Sequence, residues 1–313
     1  MRIVFMGTPA AAVPSLERLI SAGHDIAAVY TQPDRPSGRG KRISMPAVKE
    51  YALGRGLSVI QPLKIKTPEA LETFRSHGAE AAIVVAYGRI LPTAFLEMYP
   101  KGAINLHFSL LPKYRGAAPV NWAIVNGDNV SGVTTMKMDA GLDTGDILLQ
   151  SETAIGSDEN AVELMDRLSH LGAELLIETL DGIDSIVPRP QDDSMATYAP
   201  LLHKEDGRID WTMPAAKIVD RIRGFQPFPT SFTTFRNQRL TVWKARASNA
   251  APPLAGSAAG TICEATGEAL KVVCGEGSII EITELQPEGK RRMTAADFIN
   301  GSRPAVGEIL ASE

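Results

Sequence analysis

Asn105 and His107 are the pair in this sequence best suited to acyl-transfer chemistry. They close a short apolar run that opens with Ala103-Ile104 and reads as the end of a buried strand. Residues i and i+2 of a strand face the same side, so the carboxamide and the imidazole project together. The amide can donate to charge developing on a carbonyl oxygen, and the ring can take or give a proton near neutral pH. An Asn-x-His pair by itself is more often structural than catalytic, so its surroundings decide. Beyond it, Leu110-Leu111-Pro112 makes a stiff apolar turn, and Arg115-Gly116-Ala117-Ala118-Pro119 leads into a helix.

Further along, Val133 to Met138 alternates as a strand and runs into Asp139-Ala140-Gly141-Leu142-Asp143-Thr144-Gly145-Asp146. Two glycines in that loop permit a tight return, which can bring Asp143 back onto the imidazole. The combined set, Asn105-x-His107-x-Ser109-Leu110-Leu111-Pro112 with Gly141-Leu142-Asp143-Thr144-Gly145-Asp146, resembles the signature of the folate-dependent formyltransferases. In that family the matching Asn, His and Asp form the catalytic group. The resemblance implies 10-formyltetrahydrofolate as formyl donor, with Ser109, Leu110, Leu111, Pro112, Asp139 and Gly141 among the folate contacts. No metal is expected, because no group of His, Cys or carboxylates has ligand spacing.

The elements that must position these residues read as an α/β domain. Arg2 to Gly7 is a buried strand ending on a glycine, and Thr8 and Pro9 suit the start of a helix. Leu16, Leu19 and Ile20 give that helix an apolar stripe, Gly23 ends it, and Asp25 to Thr31 is the next strand. This opening begins a doubly wound, Rossmann-like, mostly parallel sheet. Gly7-Thr8-Pro9 supplies one glycine where a dinucleotide fingerprint needs three, which argues against a nicotinamide enzyme. Thr67-Pro68-Glu69 starts another helix, and Ala81 to Ala86 is a continuous small-apolar strand suited to burial on both faces. Ligands of such sheets bind beyond the strands' C-terminal edges, so Ala86, Tyr87, Gly88, Ile90 and Leu91 are expected to border the folate. The resemblance points the same way, since the family's pterin sits near the corresponding loop. A helix near 119–126 ended by Gly127 and a long amphipathic helix over 160–180 complete the unit.

Between the second strand and the next helix lies a Pro- and Gly-rich stretch, 32–46, with four cations within eight residues: Arg35, Arg39, Lys41 and Arg42. Lacking an apolar period, it is an exposed loop, longer than a routine connection. Taken alone such a loop is usually solvated surface. Arg and Lys on an exposed loop can also neutralise a nucleic-acid backbone. It resembles the basic insertion of those family members that act on charged tRNA, where the insertion holds the acceptor end.

Pro188 to Asp193 ends the first domain, taken as 1–189, and 190–206 reads as a linker. From 207 to 313 the texture changes to short alternating segments at 231–235, 240–245, 260–264, 271–274 and 279–285, separated by Gly, Asn and Pro turns. Five such strands suggest a small OB-like β-barrel. The family resemblance continues through Ile209-Asp210-Trp211, Val242-Trp243-Lys244-Ala245 and Gln286-Pro287-x-Gly289-Lys290. Lys290, Arg291 and Arg292 are a second candidate phosphate contact, although such a triplet is commonly a solvated turn.

Composition sets the outer limits. The length of 313 residues accommodates two cores, and 44% hydrophobic with 22% charged residues is ordinary for a water-soluble domain. A net charge of −4 gives no global attraction to nucleic acid, so any basic footprint is local and DNA is not an expected partner. Cys263 and Cys274 are too few for a disulfide framework, and the brief apolar N-terminus suits neither a signal peptide nor a membrane span. A cytoplasmic monomer is expected. Over the whole chain the resemblance implies transfer of formyl from 10-formyltetrahydrofolate to the α-amine of methionine on initiator methionyl-tRNA. The alternative is a formyltransferase with another amine acceptor, a sugar nucleotide or a purine precursor, which would share the trio but need neither basic loop nor barrel.

Overall fold

A computed structural model describes residues 1–37, 42–248 and 257–311. They form two compact units: Met1–Pro119, Val130–Ala154 and Met165–Ala199 in the first, and Val120–Asn129, Ile155–Leu164 and Pro200–Glu313 in the second.

The first unit is an α/β layer structure. Its strands are β1 (Arg2–Gly7), β2 (Asp25–Tyr30), β3 (Val59–Ile60), β4 (Ala81–Val85), β5 (Ala103–His107), β6 (Val130–Lys137) and β7 (Ile147–Ala154). They lie in the order β7-β6-β5-β4-β1-β2-β3. The five from β3 to β5 are parallel, while β6 and β7 run antiparallel to their neighbours. Every residue of β4 and β5 is buried, as unbroken apolar runs in a covered parallel sheet require. On one face Val4, Met6, Ala28, Tyr30, Ala82 and Val84 alternate out of three strands into a core with Phe74, Phe95 and Tyr99. The long helix Ala161–Asp181 packs on the sheet through its later turns. Gly172 lets it come close: an added Cβ there would lie 2.7 Å from Leu106 of β5. The Thr135 and Thr179 hydroxyls meet at 2.7 Å, so the polar atoms under that helix satisfy one another.

Strand order reverses between β1 and β4, and in open α/β sheets ligands bind outside the C-terminal ends of the strands at such a point. The loops there are tied together. Tyr87 carbonyl accepts from Thr8 Oγ1 (3.0 Å) and Gln32 Nε2 (3.1 Å), and Gln32 Oε1 accepts from Arg89 Nε (3.0 Å). Beside them, Lys49 Nζ donates to Asp34 Oδ2 (2.7 Å) and Gln61 Nε2 to Asp34 Oδ1 (2.8 Å). The Lys49 ammonium, then the Gln61 amide, hold the Asp34 carboxyl below its ordinary value.

The second unit carries an antiparallel sheet. Its strands are β8 (Ser231–Phe235), β9 (Gln238–Ser248), β10 (Ile262–Thr266), β11 (Ala269–Val273), β12 (Ile279–Pro287) and β13 (Met293–Thr294). The order is β8-β9-β12-β11-β10, with β13 on β12. The five strands read from the sequence are all present. The helix Ala295–Ser302 is an addition to that reading, although Thr294 gives the cap signal: its hydroxyl accepts from Asp297 N at 3.2 Å. The last described residues reach both sheet edges, Ala311 exchanging bonds with Thr234 while Glu308 and Leu310 bond to Ile262 and Gly260. Ile209, Trp211, Ile218, Ile222, Leu240, Val242, Ile280, Ile282 and Phe298 fill the core. Cys263 and Cys274 are free thiols, and burial pushes that of Cys274 up to about 12. Residues 120–129 and 155–164 group with this unit through Asn121 Nδ2 on Gly224 carbonyl (2.7 Å) and Arg223 Nη1 on Glu159 carbonyl (2.8 Å). Sequence position places both stretches earlier, and long-range contacts such as these reveal the grouping. Among the described residues no helix is long and apolar enough to cross a membrane.

Candidate active site

β5 delivers the first two functional side chains. Asn105 pairs with Met136 of β6 and His107 with Thr134, so both sit at the junction of the parallel and antiparallel parts of the sheet. They are 8% and 6% exposed. No hydrogen bond joins the Asn105 carboxamide to another described residue, and neither amide atom is among the fully buried unpartnered ones, so its donors are open to a ligand. His107 is held: Nε2 lies 2.9 Å from the Tyr114 carbonyl oxygen. A carbonyl only accepts, so Nε2 carries a proton and Nδ1 is the nitrogen left for exchange.

The segment after β5 is shaped to make that contact. Ser109 Oγ donates to Lys113 carbonyl (2.6 Å), closing the turn, and Tyr114 adopts a left-handed φ of 62°. Thr134 Oγ1 donates to Ser109 carbonyl (2.6 Å) and accepts from Leu111 N (3.2 Å), while Gln150 Nε2 donates to Leu111 carbonyl (2.9 Å). Phe108 is buried.

Asp143 arrives from the loop after β6. Its Oδ2 accepts the Gly116 N–H at 2.8 Å and stands 3.8 Å from His107 Nδ1. That separation is an ion-pair distance rather than a direct hydrogen bond. The expected tight return exists, yet the left-handed residue is Asp143 itself, at φ 54°, and neither Gly141 nor Gly145. A short polar side chain tolerates that region. Gly145 is needed for close approach instead, because a Cβ there would overlap the Lys137 carbonyl. Asp139 organises the loop, accepting from Gly141 N (3.0 Å) and Thr144 Oγ1 (2.7 Å), so its carboxylate is already engaged.

The residues expected to border folate divide by where their side chains go. Ala86, at φ 47°, and Gly88, at φ 81°, are exposed at the end of β4, and Ile90 is 73% exposed. Tyr87 and Leu91 turn into the core, and the Tyr87 carbonyl is taken by Thr8 and Gln32. Leu110 is half-buried, Leu111 packs with Met136 and Ile147, and Pro112 carbonyl accepts from Thr197 N. The contact roles of Thr8, Gln32, Thr134, Arg115 and Gln191 carry no local signal, because each is set by a partner far along the chain.

The basic candidates fare unevenly. Arg35 is exposed in a short ladder, Arg35–Ser37 against Arg42–Ser44, so the base of the basic loop is a hairpin. Arg39 and Lys41 lie outside the described residues, as does the side chain of Arg42. In the second unit Lys290 and Arg291 are exposed, and Lys290 lines a cavity of about 340 Å³ with Arg236, Arg239 and Phe298. Arg292 is committed elsewhere, to Glu284 Oε2 at 2.5 Å and to the Trp243 ring. Among the described residues no group of His, Cys, Asp and Glu could hold a metal ion.

A parallel-dominated sheet with an amide, an imidazole and a carboxylate gathered at its C-terminal edge defines a group-transfer class, and comparison specifies it. Residues 1–180 match the formyl transferase family and 201–303 the formyl transferase C-terminal domain, so the chain belongs to the formyl transferase family. Within that family, a methionyl-tRNA formyltransferase of Solibacter usitatus is 53% identical over 312 residues, covering 99% of this chain and 98% of the relative. One of Citrifermentans bemidjiense is 46% identical, covering 100% and 97%. Among solved structures, the sugar 3N-formyl transferase WlaRD, in the presence of dTDP and 5-N-formyl-THF, matches with a TM-score of 0.68. It is 19% identical and covers 93% of this chain and 99% of that one, which speaks to the fold alone.

Proposed function

We infer that this chain transfers the formyl group of 10-formyltetrahydrofolate to the α-amine of methionine on initiator tRNA, the activity of a methionyl-tRNA formyltransferase. The observation that carries this is likeness at 46–53% identity across both units to relatives of that name. The donor supplies an activated formyl carbon. The partnerless Asn105 carboxamide fits the formyl oxygen, and Nδ2–H donates to it as negative charge grows there. The amine nitrogen bonds to the formyl carbon while the bond to the donor nitrogen breaks. His107 Nδ1, 3.8 Å from the Asp143 carboxylate, takes the proton the amine sheds, and the carboxylate stabilises the imidazolium so formed. Returning it to the departing nitrogen completes the transfer. Ala86, Gly88, Ile90 and the 109–112 turn border the folate, at the crevice where strand order reverses.

The second unit is read as an OB-like barrel, on the support of a C-terminal segment that bonds to both edges of its sheet. It contributes tRNA affinity rather than chemistry, through Lys290 and Arg291. The function is tested by formyl transfer from 10-formyltetrahydrofolate to charged initiator tRNA, with charged elongator tRNA as control. Transfer to a sugar nucleotide but to neither tRNA would overturn it.

The basic loop is read as the contact to the tRNA acceptor end. Each phosphate it neutralises releases counterions, so affinity falls as salt rises. About three contacts give a log–log slope of roughly −2 to −3. Replacing Arg39, Lys41 and Arg42 together by Ala is expected to weaken tRNA binding and flatten that slope while sparing folate binding. Unchanged affinity and slope, measured by filter binding across a salt series, would reduce the loop to solvated surface.

A further inference from the structure

The stretch that the sequence offers as a linker is woven onto the candidate site. Tyr198 and Ala199 pair with Arg115 and Gly116, and Thr197 Oγ1 accepts the Tyr114 N–H at 2.8 Å. Upstream in the same stretch, Gln191 Nε2 donates to the carbonyls of Asp143 and Gly145, both at 2.8 Å. Gln191 Oε1 accepts from Arg115 Nε (3.0 Å) and Nη2 (2.8 Å). Arg115 is only 3% exposed, and its Nη2 also bonds Asp193 Oδ1 at 2.8 Å. These contacts leave the Gln191 amide one orientation. Turned over, it would set its N–H groups against the guanidinium and its oxygen against two carbonyls.

Asp143 is therefore gripped at two points. The Gly116 N–H holds its carboxylate, and Gln191 holds its backbone in the left-handed turn. Both grips lead back to Arg115, directly through its bonds to Gln191 and along the chain to Gly116. We propose that Gln191 is a positioning residue for the transfer reaction: aimed by the buried Arg115, its amide fixes the 143–145 turn so that the Asp143 carboxylate faces His107 Nδ1. The proposal rests on the reading of Asp143 as part of the transfer machinery.

Gln191→Glu is the sharpest probe. It keeps the acceptor for Arg115 but presents oxygen to two carbonyl oxygens, so the turn must move while the chain around it stays anchored. A shift of about 1 Å in a reacting group costs up to ~10²-fold in rate. Turnover of the full-length enzyme is expected to drop roughly tenfold to a hundredfold by that principle, with KM for donor and charged tRNA nearly unchanged. The decisive readout is a double-mutant cycle with Asp143→Asn under single-turnover conditions. If Gln191 acts through Asp143, Gln191→Glu adds no further loss in the Asp143→Asn background. Equal losses in both backgrounds, or wild-type turnover in Gln191→Glu, overturn the proposal while leaving Asp143 in its role. Wild-type turnover in Asp143→Asn sinks the underlying reading and the proposal with it. Should Gln191→Glu fail to fold, Gln191→Met removes the donors without adding charge and is read against the same outcomes.

Discussion

Replacing His107, Asn105 or Asp143 by alanine is expected to lower turnover by roughly 10²-fold or more. Loss of one oxyanion donor costs ~10²–10³ and loss of an acid–base group ~10²–10⁴. The three differ in what they leave behind. Asn105→Ala removes an amide that has no partner among the described residues, so the surrounding fold loses no hydrogen bond. His107→Ala deletes the ring nitrogen that donates to Tyr114 carbonyl, and Asp143→Ala frees the Gly116 N–H, so both need a thermal-unfolding control. Binding of folate and of tRNA, measured directly, should stay near normal, because the loss falls on the transition state. A His107→Ala enzyme with near-wild-type turnover would dismiss the mechanism.

A comparable loss is expected from Gly145→Ala, a change that adds one methyl and removes no functional group. The added Cβ would sit against the Lys137 carbonyl, 2.9 Å from its carbon and closer still to its oxygen. Lys137 is fixed, since its N–H donates to Asp146 carbonyl at 2.9 Å. The clash is with backbone, so no rotamer change relieves it and the 139–146 loop must give way. Asp143 lies in the middle of that loop, and turnover should fall by up to ~10²-fold for a displacement near 1 Å. Gly301→Ala is the matched control: a Cβ added there would meet nothing within 4 Å, and the position lies in the helix Ala295–Ser302. That change should leave turnover unaltered and stabilise the helix by up to ~1 kcal/mol. Equal activity in the two variants would show that the loop absorbs the methyl without moving Asp143.

Legibility followed the range of the forces involved. Strands, helices and caps came through where the signal was local: the unbroken apolar run of β4, the i, i+2 relation of Asn105 and His107, the Thr67-Pro68 helix start. The Asp143 turn was legible as a turn, because glycines marked it. Its construction was not, because left-handed backbone at Asp143 and contact at Gly145 depend on where Lys137 and Gly116 lie. Tyr87 illustrates the other kind of miss. Its place after β4 reads as a ligand border, but a large ring there lowers its free energy by entering the core, leaving its carbonyl to Thr8 and Gln32.

By itself the sequence offered the candidate chemistry and its carrier: an amide and an imidazole two residues apart on a buried strand, a glycine-flanked carboxylate downstream, and an α/β opening without a dinucleotide fingerprint. Those features are short-range, set by backbone alternation and residue type. Only the tertiary structure decided which groups meet. Gln191 reaches Asp143 across 48 residues, and Arg115 reaches Gln191 across 76. No local pattern encodes such contacts. They exist because sheet order carries β5 beside β6 and because Tyr198-Ala199 pairs with Arg115-Gly116, which buries a guanidinium beside the one amide oriented to receive it.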